Sequence, residues 1–250
     1  GADQTDYQTQ LAVTANYEFW DQPSSDASIM VDYFKESLLS NDLDTTVTTF
    51  SLPVHYYRDD YRYGMTFTRQ SYNLSGVDVL NYFIGKFGVA KNVGDDKLYV
   101  NYLRTSKTPK DVSYTEYEGT SHAGSVKYKR NDGTQKWSVQ FNLFRNDYLG
   151  EGLSNDGAYI KAVYNLNRGR HSMSVGAKFK GTQYEVDALT DDERQDRQSS
   201  LNYNHEYFWS PAIQLYFDSS YIRNQSNIDY DDENYNYDQW IHTFGTRFVF

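Results

Sequence analysis

Seven lysines are the residues of this chain best placed to do chemistry. Lys97, Lys127, Lys129, Lys136, Lys161, Lys178 and Lys180 each fall out of step with an apolar series. Lys127 and Lys129 alternate with Val126 and Tyr128, and Lys178 and Lys180 alternate with Ala177 and Phe179. Arg247 alternates in the same way with Thr246 and Phe248. A period of two places such residues on one face of a strand and their apolar neighbours on the other. Acids occupy the polar phase elsewhere, at Glu18, Glu206 and Asp218, with Asp32 and Glu36 joining them if their segment lies on the same surface. A basic wall opposed to an acidic wall sets up a transverse field that sorts polar solutes and favours anionic groups on the basic side. The same charges can also simply pair and solvate a polar interior, and the sequence leaves both readings open. Tyr99, Tyr159, Tyr216 and Phe208 share this phase and can stack on sugar rings or fill space.

Other candidates are weaker. The five histidines, His55, His122, His171, His205 and His242, lack the spacing of a metal site, so no metal or cofactor is expected. His205 and His242 fall in the apolar phase. The acidic run Asp229–Glu233 lacks the spaced ligands and turn glycine of a calcium loop. Ser121 and His122 are the one nucleophile–base pair in view, but adjacent residues of a strand face opposite sides, so catalysis by them is not expected.

The elements that position these residues follow from alternation. Leu11, Val13, Ala15, Tyr17 and Phe19 form one apolar series, Phe50, Leu52, Val54 and Tyr56 another, and Trp137, Val139, Phe141 and Leu143 the clearest. Similar series recur at residues 63–67, 98–102, 124–128, 158–164, 173–179, 201–209 and 213–221. Tight turns are signalled at Val93–Asp96, Asn131–Gly133, Asn167–Gly169 and Ser210-Pro211. Between them lie long polar connections at 105–120, 146–157, 183–198 and 224–238. Short and long connections therefore alternate from about residue 92 onward, which a soluble sandwich has no reason to maintain. Two segments, 26–39 and 77–92, are ambiguous, and either one can be a helical or plug segment. Residues 26–39 also read as a helix, with an apolar stripe at Met30, Tyr33, Phe34 and Leu38, and residues 77–92 are apolar in both phases.

Composition sets limits. The chain has 250 residues, a net charge of -10 and no cysteine, so it holds no disulfide and offers no basic surface for nucleic acid. Mean hydropathy is -0.80. No apolar run approaches the roughly 18 residues of a membrane helix, whereas a membrane strand needs only alternate apolar residues. The 25 Tyr, 14 Phe and 4 Trp suit a surface shared by lipid and water. No linker divides the chain, so a single domain over 1–250 is expected. Gly1-Ala2-Asp3-Gln4 reads as a processed or engineered start.

The last segment, Trp240 to Phe250, places Trp240, His242, Phe244, Thr246, Phe248 and Phe250 in one phase and stops on Phe. It resembles the closing strand of bacterial outer-membrane β-barrels, and the alternation extends that resemblance along most of the chain, without identifying a subfamily. The resemblance implies an all-β, antiparallel up-and-down transmembrane barrel with short periplasmic turns and long acidic external loops. Bacterial barrels favour even strand numbers, so 12 strands are expected, or 14. The polar face would then be the lumen. It further implies location in the outer membrane, contact with its lipid and lipopolysaccharide, insertion by the barrel-assembly machinery through the C-terminal strand, and a monomer. The function to expect is a channel for small hydrophilic solutes, anionic or saccharide. A closed structural or adhesive barrel, a polymer export pore and an outer-membrane hydrolase are the alternatives.

Overall fold

The computed structural model describes residues 8–38, 43–150, 152–185, 193–228 and 235–248. Among these, thirteen strands follow one another in chain order. They are β1 (Gln8–Gln22), β2 (Ser25–Leu38), β3 (Leu43–Arg58), β4 (Tyr61–Leu74), β5 (Val77–Val93), β6 (Asp96–Pro109), β7 (Gly119–Asp132), β8 (Gln135–Tyr148), β9 (Asn155–Arg168), β10 (His171–Tyr184), β11 (Gln195–Ser210), β12 (Ile213–Ser226) and β13 (Tyr237–Phe248). A short 3-10 helix, Val112–Tyr117, lies between β6 and β7. Each strand is hydrogen-bonded to its neighbours in sequence, the order of an up-and-down sheet.

The thirteen strands among the described residues do not confirm the expectation of 12 or 14. Both ambiguous segments are strands, and neither is a helix or plug. The apolar stripe at Met30, Tyr33 and Phe34 mimics a helical face, but Met30 pairs with Asn16 on one side and Ser51 on the other. Backbone pairing to two neighbours prevails over a weak local periodicity. The acidic stretches Asp191-Asp192 and Asp229–Glu233, and the terminal Val249 and Phe250, lie outside the described residues.

The expected short turns are present. Gly94, Gly133 and Gly169 have φ of 62°, 55° and 59°, the left-handed backbone that a two-residue hairpin turn demands. Three further tight connections lie at Pro23-Ser24, Asp59-Asp60 and Ser75-Gly76. Asp59 and Ser75 adopt positive φ there without being glycine. The polar connections are shorter than expected. β6 reaches Pro109, β8 reaches Tyr148 and β12 reaches Ser226. Apolar alternation stops where a strand leaves an apolar environment, but its backbone ladder continues. Strands of 12 to 17 residues accordingly exceed the roughly 9–11 that cross a bilayer.

The burial pattern is inverted relative to a water-soluble domain. Among the described residues the only buried hydrophobics are Ala27 and Ile228, and no large side chain is fully enclosed. The buried polar residues are Ser51, Asn81, Asn142, Thr182, Gln214 and Asn224. Large apolar side chains stand in the open instead: Phe244 is 75% exposed, Phe179 61% and Leu143 56%. A sheet with this distribution needs an apolar medium against its outer face.

The chain separates into two compact units. Unit 1 comprises Gly1–Val89, Asn101–Ala123 and Asn146–Ser154, and unit 2 comprises Ala90–Val100, Gly124–Arg145 and Asn155–Phe250.

Candidate solute-binding site

Cross-strand register decides which side chains share a face, because directly paired residues point the same way. In unit 2, Lys178 of β10 is opposite Lys161 of β9, and Lys180 is opposite Tyr159. Across the next ladder Lys178 meets Ser200 and Ser172 meets Glu206. Asn204 is opposite Asp218, Asp218 opposite Thr243, and Gln214 opposite Arg247. One polar face therefore carries Lys161, Lys178, Lys180, Glu206, Asp218 and Arg247.

Side-chain contacts extend that face to β6, β7 and β8. Gln140 donates to the Tyr159 hydroxyl at 3.2 Å, so even residues of β8, including Lys136, share the face. The Tyr128 and Trp137 rings meet 5.3 Å apart on the opposite side. Lys127 and Lys129 thus point with Lys136. Asp96 accepts from the Tyr128 hydroxyl on the outer side, which turns Lys97 to the polar face. Glu18 belongs to unit 1, where it pairs with Ser28 on the polar face of β1 and β2.

None of the seven lysines forms a salt bridge among the described residues. Two of them lie over aromatic rings instead. The Lys178 ammonium is 4.7 Å from the Tyr159 ring centre, and the Lys180 ammonium is 5.0 Å from that of Phe144. Such contacts contribute about 0.5–1 kcal/mol at exposed sites and leave the positive charge unneutralised. Lys161 and Lys178 are a like-charge pair directly across a ladder, an arrangement that destabilises a sheet. Phe144 is a partner that the sequence did not single out.

Asp218, an acid of this face, is held by a neutral donor. Asn204 donates to Asp218 at 2.6 Å. Lys161 and Asp218 line one pocket of about 500 Å³ together with Ser174, Asn202, Asn204 and Thr243. Opposite charges therefore border a single cavity within unit 2, which refines the expectation of separate basic and acidic walls. Arg247 lies 5.7 Å from the Tyr216 ring centre and donates to Gln214 at 3.4 Å. Gly245 makes room for Tyr216, since a Cβ there would overlap the ring.

Ser121 and His122 do not converge. The Ser121 hydroxyl meets the Tyr148 hydroxyl at 3.2 Å, whereas His122 meets the Tyr102 hydroxyl at 2.7 Å on the other face. His205 and His242 lie on the outer face, as their phase implies. His205 stacks on His171 at 5.3 Å and His242 on Phe217 at 6.3 Å. Unit 1 has its own polar cluster, in which Asp26 accepts from Tyr57 at 2.5 Å and contacts His55 at 2.6 Å, with Arg62 2.8 Å from the far ring nitrogen.

Outside the strands, two connections are tied down. The Asp111 carboxylate caps the 3-10 helix by accepting from the Ser113 backbone N–H at 2.8 Å, and this bond holds its carboxyl below the usual carboxylate value. Arg194 lies 3.8 Å from the Tyr184 ring centre and 4.1 Å from that of Tyr235, and it reaches Asp196 at 3.1 Å.

No protein-family model matches the chain, and no curated protein sequence does. Solved structures do match. In-vitro folded OmpT, an outer membrane protein of Vibrio cholerae, superposes with a TM-score of 0.56 at 9% identity, covering 96% of this chain and 95% of that one. OmpT expressed in the outer membrane gives 0.54 at 10% identity, with 96% of each chain covered. CdiB from Acinetobacter baumannii gives 0.56 at 8% identity, covering 98% of this chain and 54% of CdiB. At such identities the shared property is the fold, and the expectation of an outer-membrane protein is borne out at that level. The thirteen-stranded sheet, with apolar side chains outward and polar ones buried, has the fold of the bacterial outer-membrane β-barrel proteins.

Proposed function

We propose that the protein is an outer-membrane barrel channel that passes small hydrophilic solutes bearing an anionic group. One observation carries this reading: seven lysines line a polar face without a salt bridge among the described residues, and two of them are directly opposed across a ladder. A face that served only to solvate the interior would gain by pairing these charges. Leaving them unpaired makes sense where a passing anion supplies the missing charge. Asp218 and its Asn204 partner add acceptors and a donor for hydroxyl groups in the same pocket. No catalytic role is assigned, because Ser121 and His122 are engaged separately.

The test is conductance of the purified protein in a planar bilayer under a salt gradient. Single-channel current with a reversal potential displaced toward the anion equilibrium value is expected. Absence of current across a range of voltages, or cation preference, overturns the proposal.

A further inference from the structure

The outer face of unit 1 carries a cleft that solute passage does not use. It has a volume of about 570 Å³, within the range of ligand pockets. Its walls are the rings of Phe67, Phe83 and Phe87, and Arg69, Arg104 and Ser106 line it with them. Phe67 and Phe87 meet edge to face at 6.0 Å. The Arg69 guanidinium lies 5.8 Å from the Phe83 ring centre. No carboxylate lines the cleft, and neither arginine has an ion pair among the described residues.

The placement of the two arginines is regular. In β4 the outward series Tyr63, Met65, Phe67 gives way to Arg69, and in β6 the series Leu98, Val100, Tyr102 gives way to Arg104. Both strands begin after a two-residue turn, and each arginine stands five residues before its strand ends, at Leu74 and Pro109 respectively. With about 3.3 Å per residue and a tilt near 40°, that is roughly 13 Å below the strand end. An outward arginine at the bilayer midplane costs about 2–4 kcal/mol, falling to about 0–1 kcal/mol near the interface. Two of them above an aromatic wall mark the boundary between acyl chains and headgroups. Arginine also matches phosphate in geometry, through paired N–H donors.

We infer that this cleft binds a lipid of the leaflet on its side whose phosphate headgroup carries net negative charge. The phosphate lies between Arg69 and Arg104, and an acyl chain runs over Phe67, Phe83 and Phe87. The inference rests on the reading that this face meets lipid.

Native mass spectrometry of the full chain in non-ionic detergent tests it, with lipid A as the anionic phosphomonoester probe and phosphatidylcholine as the zwitterionic phosphodiester control. The wild type retains lipid A in preference to the control, and Arg69→Gln with Arg104→Gln lowers retention about tenfold, equivalent to about 1.4 kcal/mol. Arg69→Lys with Arg104→Lys keeps the charge but loses the paired donors and gives an intermediate value. Unboiled gel migration establishes that each variant is folded. If the double glutamine variant does not fold, Arg104→Gln alone carries the test. Equal retention by folded wild type and variant overturns the inference, as does equal binding of the control lipid. A dimer that excludes lipid from the cleft overturns it too. Those outcomes leave the membrane reading intact, whereas a chain that stays monodisperse without detergent removes both.

Discussion

Removing Lys161, Lys178 and Lys180 together, by substitution with Gln, should abolish most of the anion preference. The magnitude follows from the ladder. Lys161 and Lys178 are directly opposed, and Lys180 lies two residues further on the same face. Direct partners have Cβ atoms about 4.5–5.5 Å apart, so an anion over the pair lies about 6 Å from each ammonium. In water each charge then contributes about 0.7 kcal/mol, and three contribute about 2 kcal/mol. Screening at about 0.1 M salt, where the Debye length is about 10 Å, reduces this to about 1.1 kcal/mol, an anion enrichment near sevenfold. At about 1 M the Debye length is about 3 Å and the enrichment falls to less than twofold. The assay is the reversal potential in planar bilayers at both salt levels. Lys178→Gln alone should lower the low-salt preference to about 3.6-fold, and the triple variant should remove the part these lysines supply. A preference left unchanged by the triple substitution, or one that does not weaken with salt, refutes the reasoning, because these three lysines would then contribute nothing to it.

The same pair should cost stability: Lys178→Glu replaces a like-charge pair by an opposite one and should stabilise the fold by about 0.2–1 kcal/mol while reducing anion preference, read from the temperature at which unboiled samples lose anomalous gel migration. Gly157→Ala should destabilise by about 1–3 kcal/mol, since its Cβ would overlap the Gly181 carbonyl and crowd Phe144, and a variant as heat-resistant as wild type would contradict the packing of β8, β9 and β10. Arg194→Ala should remove its stacking on Tyr184 and Tyr235 and its bond to Asp196, and limited proteolysis should then cut the β10–β11 and β12–β13 connections faster than in wild type. Asp111 has a folded pKa below its ordinary 3.8, so its capping contribution is present above that value and is lost as pH falls below it; carboxyl NMR titration should give a midpoint under 3.8, and Asp111→Asn should remove that pH dependence.

Much of this was legible because each strand faces two different media. Where a strand separates lipid-like from polar surroundings, alternation becomes strict, and the sequence assigned Lys161, Lys178, Asp218 and Arg247 to one face in agreement with their ladders. The segments around Met30 and Val79 were harder. Met30, Tyr33 and Phe34 satisfy a helical period by accident, and a fold held by backbone ladders does not depend on local periodicity. Strand ends escaped for a related reason: beyond the apolar band the residues turn polar, as Thr45 and Thr46 do, while their pairing to Leu74 and Asn73 continues. The face of a lysine follows from parity, but the identity of its opposite residue follows from register. Register depends on turn length and bulges such as the shift between Phe208 and Ser210, so the opposition of Lys161 to Lys178 could not be read in advance.

That opposition favours one of the two interpretations the sequence left open. If the polar face existed only to keep a lumen wet, neutral side chains such as Asn202 and Ser200, already its neighbours on β11, would do so without repulsion. Instead the ladder sets two lysines opposite each other and places one ammonium over Tyr159 and that of a third lysine over Phe144. A ring holds a cation in place without cancelling its charge, whereas a carboxylate would cancel it. The face thus keeps a fixed positive potential in a polar, accessible position, at some cost in stability. Selection for stability alone would remove that cost by a single substitution at position 178. Its presence is the physical argument that the charge acts on something outside the chain.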